Sequence, residues 1–338
     1  MEAGARQLST RAAHGRAASF IAADVGGTHA RIGLIHATGS SPIVEKFARY
    51  VCADYPNLAA ILRHFLDTLG GETVNEAAIA CAGVCLDGTI INTNLAWTVS
   101  LDKIRAELNL KAVEFVNDFE AVAYATPHLD ARDTTVLSRG REQPGAPILI
   151  VGPGTGLGAA VRIPSGDTHF VLATEAGQAA FAPGSDLEGD VLRILRRRSS
   201  HVSIEQLLSG PGLVNLHSAL CELDRTRTSF DSPAAITRAA LDAGDAAARR
   251  TLEVFCGLLG GVLGDLVLLY GAQGGAYLAG GILPQMKNFL LGSTFVERFL
   301  AKGAMRPVLE RVPVRLIEQA QLGVLGAASW YLERRPRD

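Results

Sequence analysis

Features that mark several other classes of protein are scarce or missing in this sequence of 338 residues. It has only five cysteines and two tryptophans. Cys81 and Cys85 are four positions apart, but no cluster of further cysteines and histidines accompanies them, so the spacing does not predict a zinc site. An odd number of scattered thiols instead favours small apolar core residues in a reducing cytosol.

The sequence also lacks a charge excess and a Walker nucleotide motif. Lys and Arg number 32 against 34 Asp and Glu, which gives a formal net charge of -2. Because a broad nucleic-acid surface needs a basic excess, we expect no nucleic-acid partner. The pattern G-x-x-x-x-G-K-[ST] occurs nowhere in the chain, which excludes a nucleotide site of the P-loop type.

One long apolar stretch, residues 252–270, raises the question of a membrane. It contains Glu253 and Asp265, which a membrane-spanning helix rarely carries. Its glycines at positions 257, 260, 261 and 264 suit a helix that packs closely against others. We therefore predict a core helix of a cytoplasmic protein with no membrane partner.

The length of the chain predicts two domains, since one core rarely serves so many residues. Residues 1–18 are rich in Ala and Arg, and Glu2 is their only acid. No apolar signal core follows them. We predict a disordered extension before the first strand.

Residues 20–35 form the most informative stretch of the chain. An apolar run ends at Asp24, turns through Gly26, Gly27 and Thr28, and continues as a second apolar run. The pattern predicts a hairpin whose glycines supply positive φ angles. Glycines and a hydroxyl also let a turn approach an anion, and Asp24 is placed to hold a metal ion or a water molecule. The hypothesis is a phosphate-binding hairpin; the alternative is an ordinary one.

A second candidate site lies where residues 112–116, a predicted strand, give way to a predicted helix. Asn117 and Asp118 occupy that junction. We expect free N–H groups and the helix dipole to keep the Asp118 carboxylate ionised. A helix N-cap is the structural alternative for either residue.

The second half of the chain repeats the opening pattern. Residues 148–151 predict a buried strand, followed by GPGTGLG at 152–158 and a further strand instead of the helix that a dinucleotide fingerprint requires. Two strand–turn–strand units suggest a duplicated domain with a nucleotide clamped between two turns. The second turn and a later strand-to-glycine switch add Gly154, Thr155, Gly156, Gly280 and Gly281 as candidate nucleotide-binding residues.

Five motifs in order resemble those of bacterial ATP-dependent glucokinases, which belong to the actin-like ATPase superfamily of sugar kinases. They are DVGGTHAR at 24–31, FVNDF at 115–119, GPGTGLG at 152–158, LSGPGL at 208–213 and LAGGI at 278–282. The resemblance runs from about residue 20 to the C-terminus. It implies an α/β fold of two domains, a duplicated ribonuclease-H-like unit, around an interdomain cleft. The cysteine cluster of the related repressor-type sugar kinases is missing.

The same resemblance implies the division of the chain. Residues 19–128, together with a returning C-terminal helix within 322–338, would form a small domain, and residues 129–321 a large one. A homodimer is common in the family.

The resemblance also implies a site and a mechanism. ATP would bind in the cleft as its Mg²⁺ complex, with Asp24 helping to place the metal. Asp118 would be the catalytic base that accepts the proton of the sugar 6-hydroxyl. The implied sugar-binding residues are Asn94, Asn117, Asp118, Glu175 and Gln178.

Two sugar contacts of the family are changed in this sequence. Where the family has an E-x-G-H stretch, this chain keeps Glu175 but has Gln178 in place of the histidine. A second family glutamate corresponds to Arg198, which cannot accept a hydrogen bond. Glu205 could substitute, although residues 203–206 look like a capping box that would give it a structural role.

Three functions stay open from the sequence. The first is a glycolytic glucokinase that converts glucose to glucose 6-phosphate with ATP. The second is a kinase for another hexose, for example one carrying an anionic group that Arg198 could meet. The third is a weakly active regulator that binds nucleotide or sugar.

Overall fold

A computed structural model describes residues 19–38, 41–91, 95, 97–166, 168–227 and 230–334. The strands in these ranges are β1 (Phe20–Val25), β2 (His29–Thr38), β3 (Ser41–Val51), β4 (Glu76–Cys81), β5 (Val84–Leu86), β6 (Thr89–Ile91), β7 (Val99–Ser100), β8 (Ala112–Asn117), β9 (Thr134–Ser138), β10 (Ile148–Pro153), β11 (Leu157–Ser165), β12 (Thr168–Thr174), β13 (Gly275–Leu278) and β14 (Val314–Ile317). The helices are α1 (Leu58–Asp67), α2 (Leu101–Leu108), α3 (Asp118–Ala125), α4 (Asp186–Leu195), α5 (Gly210–Leu223), α6 (Pro233–Leu241), α7 (Ala246–Tyr270), α8 (Lys287–Leu291), α9 (Phe295–Leu300), α10 (Arg306–Leu309) and α11 (Leu322–Arg334).

Two large sheets repeat one strand order. The first is β3-β2-β1-β4-β8, and the second is β12-β11-β10-β13-β14-β9. In each, an antiparallel meander of three strands is followed by two strands parallel to its first member. The β1–β2 turn therefore corresponds to the β10–β11 turn. This repetition confirms the predicted α/β fold with a duplicated unit.

Burial explains which strands lie in the middle of each sheet. In β1 and β4 nearly every residue is buried, as expected for strands covered on both faces. Strand β3, at the edge of the first sheet, alternates between exposed and partly buried residues. In a third, small sheet (β5-β6-β7), Asp87 and Gly88 form the turn between β5 and β6, with φ angles of 48° and 71° in the left-handed region.

Helices α3 and α11 form the layer between the two large sheets. Each follows a parallel strand, α3 after β8 and α11 after β14. They pack so closely that a Cβ on Gly326 would overlap the carbonyl of Ala121. The core around them draws on both sheets, for example Ala78 and Ile150. Helix α11 also packs on β1 and β4 of the first sheet.

Outer helices complete the layers. Helices α1 and α2 cover the first sheet, and a larger helical group including α4 to α7 and α9 covers the second. The division into two domains at the predicted boundaries stays a prediction. The predicted extension, residues 1–18, lies outside the described residues.

Helix α7 contains the long apolar stretch. It is long and apolar enough to cross a membrane by length and composition, yet 67% of its most apolar window is buried inside the protein. Gly260 and Gly264 contact the backbone of α9 at Phe295 and Phe299. Asp265 forms an ion pair with Lys302 at 2.6 Å. These contacts agree with the prediction of a core helix.

Candidate active site

A cleft of about 580 Å³ opens between the two halves of the molecule. Both glycine turns reach it, as do the β8–α3 junction and the start of α11. Of the residues predicted for a site, it is lined by Asp24, Gly26, Gly27, Asn117, Asp118, Gly154, Thr155, Gly156, Glu175, Gly280 and Gly281. Residues distant in sequence therefore meet in one space, because the duplicated sheets face each other across it.

The first turn is a two-residue hairpin loop. The Gly26 N–H donates to the His29 carbonyl at 3.0 Å, which leaves Gly27 and Thr28 at the tip. Neither glycine has a positive φ, so the conformational reason given for them is wrong. Thr28 is exposed and is not among the residues that line the cleft; its hydroxyl lies 3.0 Å from His29 Nδ1.

The second turn has three residues. The Gly154 N–H donates to the Gly156 carbonyl at 2.7 Å. The Gly154 carbonyl accepts from the Gly210 N–H at 2.8 Å, which brings the N-terminus of α5 against the turn. Ser209 caps that helix by accepting from the Gly212 N–H at 2.9 Å. The LSGPG sequence therefore serves to seat a helix start behind the turn.

Some cleft glycines are required by the fold. A Cβ on Gly158 would overlap the ring of Phe119. One on Gly156 would displace only the carboxylate end of the Glu205 side chain, so this glycine is less constrained. Gly280 has a φ of 96°, which L side chains rarely adopt. Phe119 follows Asp118 directly, so the contact with Gly158 fixes the backbone that carries this carboxylate.

Other cleft glycines are not required by the fold. A Cβ on Gly154 or Gly281 would meet no protein atom within 4 Å, and one on Gly26 would meet only the His29 carbonyl at 3.6 Å. None of the three has a positive φ. The protein itself therefore does not require glycine at these positions. A ligand held closely by the backbone N–H groups would require it, and the open space fits such a ligand.

Asp118 begins α3, and Asn117 is its N-cap. Asn117 Oδ1 accepts from the N–H groups of Phe119 and Glu120 at 3.0 and 3.2 Å. Asn117 therefore has the helix-capping role that the sequence left open for it. Asp118 Oδ1 accepts from the Phe119 N–H at 2.9 Å. Yet burial, reinforced by the charges of Asp24 and Glu175, raises the pKa of Asp118 to about 6.

The helix start was expected to keep Asp118 ionised, and its backbone N–H groups do act in that direction, but the net shift of the pKa is upward. Hydrogen bonds from the backbone do lower the pKa, but desolvation outweighs them. At neutral pH the carboxylate is still mostly ionised. A group poised near the working pH suits a base that must accept a proton during a reaction.

Asp24 lies on β1 and lines the same cleft as Asp118, which follows β8 of the same sheet. Its Oδ2 pairs with Arg31 at 2.9 Å, and α11 approaches so closely that a Cβ on Gly323 would overlap it. Burial raises the pKa of Asp24, and the Arg31 guanidinium opposes that rise. The charge of Asp24 in turn contributes to the raised pKa of Asp118, so the cleft holds two carboxylates in one electrostatic environment, which fits a hard cation such as Mg²⁺.

Glu205 is a cleft residue whose role the sequence assigned wrongly. The predicted capping box is not formed, because the short 3₁₀ turn Ile204–Gln206 has no side-chain cap. Glu205 Oε2 accepts from the Leu157 N–H at 2.7 Å, and Oε1 accepts from Gln178 Nε2 at 3.1 Å. The changed residue Gln178 is thereby joined to a cleft carboxylate. Buried neighbours Val202, Ile204 and Leu207 were the available signal that this acid faces inward.

Arg198 does not line the cleft. It follows the end of α4 and is exposed to solvent, with its backbone N–H bonded to the Leu195 carbonyl at 3.0 Å. The predicted sugar contact Asn94 lies outside the described residues.

The cleft is also lined by Arg31 on β2 and Arg49 on β3, which the sequence analysis did not single out. Their position on the two strands that follow the first glycine turn was the available signal.

Comparisons with known proteins agree with this architecture. The sequence model of the glucokinase family matches residues 21–334. A glucokinase-like protein of Xylella fastidiosa is 50% identical over 321 residues, covering 94% of this chain and 96% of that protein. A glucokinase of Marinobacter nauticus is 39% identical over 305 residues, covering 90% and 94%.

A solved structure gives the same result. The crystal structure of a glucokinase from an Antarctic psychrotroph superimposes with a TM-score of 0.82 at 36% identity, covering 94% of this chain and 99% of that one. The chain thus has the actin-like ATPase fold that sugar kinases share. Among proteins of this fold, the chain belongs to the glucokinase family.

Proposed function

We propose that this protein transfers the γ-phosphoryl group of ATP to the 6-hydroxyl of glucose, forming glucose 6-phosphate. The observation that carries the proposal is the position of Asp118. Its carboxylate opens into the cleft from the first turn of α3, in electrostatic contact with Asp24 and Glu175. It has the charge and the pKa that a base for a sugar hydroxyl needs.

Asp118 would orient the attacking hydroxyl and accept its proton. With a pKa of about 6, the carboxylate is ionised at neutral pH and still a better base than an ordinary aspartate. The hydrogen bond from the Phe119 N–H and the packing of Phe119 on Gly158 hold it in place. Positioning of this kind supplies much of the catalysis in phosphoryl transfer.

The two turns would bind the ATP phosphates. Gly26 and Gly27 lie on one side and Gly154, Thr155 and Gly156 on the other, with Gly280 and Gly281 beside them for the nucleoside. The open space above Gly26, Gly154 and Gly281 supports this assignment. Asp24 would help hold Mg²⁺, which when bound neutralises charge on the transferring phosphate.

The sugar would lie beside Asn117, Glu175 and Asp118. Since Asn117 Oδ1 is used by the helix cap, its amide nitrogen is the atom left to donate to a hydroxyl. Glu205 supplies a further carboxylate in the cleft, and the exposed Gln178, which is not among the residues that line it, donates a hydrogen bond to this carboxylate. A kinase for another hexose is the second candidate, because this hydrogen-bonded pair stands where the family has a histidine.

A coupled assay of ADP release over a panel of hexoses tests the proposal. We expect glucose to be turned over at millimolar concentration and to give the highest kcat/KM. A higher kcat/KM with another hexose would favour the second candidate. ATP binding without turnover of any sugar would exclude both kinases and leave a regulator.

Two further assignments accompany the function. We place the enzyme in the cytoplasm at the entry of glycolysis, because glucose 6-phosphate is retained and consumed there. We also expect a homodimer; sedimentation equilibrium of the purified chain tests it.

A further inference from the structure

A cluster of potential metal ligands lies outside the cleft. His36 on β2, Glu45 on β3 and Glu72 in the connection between α1 and β4 converge, with one ligand atom from each lying within 4.8 Å of the others. His36 is partly buried and both glutamates are solvent-accessible. Three separate segments of the first half therefore contribute to one group.

Hydrogen bonds fix the orientation of the imidazole. The Ser19 hydroxyl donates to Glu72 Oε1 at 3.0 Å. Ser19 Oγ also lies 3.2 Å from His36 Nδ1. Because the hydroxyl has a single proton and gives it to Glu72, the nitrogen must be the donor to Ser19, so Nδ1 carries a hydrogen.

Three acceptor atoms then face one another. His36 Nε2 points at Glu45 Oε2 and lies 3.5 Å from Glu72 Oε1. The nitrogen is buried and has no hydrogen-bond partner of acceptable geometry among the described residues. In a neutral imidazole, its lone pair would be directed at two carboxylates. Only a cation, either a bound proton or a metal ion, satisfies that arrangement.

The donor set, one imidazole nitrogen and two carboxylates, suits a transition metal. Zinc binds imidazole nitrogen and carboxylate oxygen at about 2.1 Å, so two ligands in a tetrahedral site are about 3.4 Å apart. The 3.5 Å between His36 Nε2 and Glu72 Oε1 agrees with this separation, whereas Glu45 Oε2 lies in direct contact with Nε2 and would have to move outward to share an ion. A nitrogen ligand disfavours Mg²⁺ and Ca²⁺, which prefer oxygen alone. Ser19 on Nδ1 is the outer partner that metal-binding histidines usually have.

We propose that His36, Glu45 and Glu72 form a binding site for a divalent transition-metal ion of the zinc type. The site is separate from the cleft. His36 lies seven positions beyond His29 along β2, or roughly 23 Å from the first glycine turn at about 3.3 Å per residue. The ion is therefore not the metal that accompanies ATP.

The bound ion would act as a clamp. It ties the far end of the β2–β3 hairpin to the connection after α1, next to Ser19, where the first strand begins. These contacts join segments distant in sequence. Binding to the folded state alone stabilises it, so the first half of the molecule should unfold at a higher temperature with metal present.

Titration of the full-length protein with Co²⁺ tests the proposal, since Co²⁺ replaces zinc and reports its ligands by visible absorption. We expect one equivalent bound and a rise of a few degrees in Tm. His36→Asn and Glu45→Gln should each weaken binding at least tenfold, and Ser19→Ala by about 10–100-fold. Glu107→Gln is the matched control, because this exposed glutamate contacts only Arg63 in the pairs described, and it should bind as the wild type does.

Activity is not needed for this measurement, and the variants leave the cleft intact. Circular dichroism confirms that each variant is folded. Absence of Co²⁺ binding in the wild type would overturn the proposal and leave a proton as the cation on His36. Binding that persists unchanged in His36→Asn and Glu45→Gln would overturn it equally, since the metal would then lie elsewhere.

Discussion

Gln178 donates a hydrogen bond from its Nε2 to Oε1 of Glu205 over 3.1 Å, and the other oxygen of Glu205 holds the Leu157 N–H. A residue that departs from the family pattern is thus paired with a carboxylate on the cleft wall. The second departure, Arg198, is exposed and does not line the cleft. Of the two changes, we therefore expect the one at Gln178 to affect sugar binding and the one at Arg198 to leave it unaffected.

Glu205→Gln should raise the KM for sugar by about 10–100-fold, because a hydrogen-bonded carboxylate lost from the site costs about 1–3 kcal/mol. The amide keeps an acceptor for the Leu157 N–H, so the turn should stay folded. Steady-state kinetics and thermal unfolding measure both effects. Arg198→Ala is the control and should change KM less than twofold; a larger effect there than at Glu205 would contradict this account.

Asp118→Asn should reduce kcat by about 10³-fold, within the range expected for loss of a general base. ATP affinity should persist, because the substitution leaves both glycine turns intact. Isothermal titration of ATP and the coupled assay measure the two quantities. Unchanged turnover would disprove the assigned base.

The same substitution should stabilise the protein. Since the folded-state pKa of Asp118 is raised from 3.8 to about 6, the ionised form costs stability above pH 6. Asparagine removes that cost, worth on the order of 1–3 kcal/mol after allowing for partial solvent contact. Thermal unfolding should show a higher Tm at pH 7.5 and no gain at pH 3.5, below the ordinary value. An equal gain at both pH values would rule out a titration effect.

The pH profile of kcat/KM should show an acidic limb near pH 6. Activity requires the ionised form of Asp118, and burial together with Asp24 and Glu175 raises its pKa to about 6. Turnover should therefore fall as the pH drops through that value. A limb near pH 4 would mean that the carboxylate is not buried in the active form of the enzyme.

Gly154→Ala and Gly158→Ala should separate binding from folding. A Cβ at Gly154 meets no protein atom, so stability should be kept while ATP affinity falls. A Cβ at Gly158 overlaps Phe119, so the protein should lose about 1–3 kcal/mol and kcat should fall with the displaced Asp118 backbone. Thermal unfolding and ATP titration of both variants check this contrast. Equal destabilisation by both would contradict it.

Helix α7 contains a closely packed glycine, Gly260, next to a glycine with open space around it, Gly261. A Cβ on Gly260 would overlap the Phe295 carbonyl, whereas one on Gly261 would meet only Arg298 at 3.7 Å. Gly260→Ala should lower the free energy of unfolding by about 1–3 kcal/mol. Gly261→Ala should raise it by up to about 1 kcal/mol, because alanine favours the helix. Chemical denaturation measures both, and a gain at Gly260 would show that the close packing of α7 on α9 is wrong.

The sequence by itself determined the order of strands, turns and helices around the glycine motifs. Apolar runs, glycine turns and the N-cap at Asn117 are local signals, so β1, β10 and the start of α3 were predicted close to their observed bounds. The repeated strand–turn–strand unit likewise indicated the duplicated fold. These features depend on neighbours along the chain.

Only the tertiary structure decided which side chains meet. Three contacts join residues that are far apart in sequence. They are the hydrogen bond between Gln178 and Glu205, the packing of Phe119 on Gly158, and the cluster at His36. The raised pKa of Asp118 has the same origin, because desolvation depends on what the packed halves exclude from water. Burial and long-range contact have no local pattern, and for that reason the site's chemistry followed only from the folded molecule.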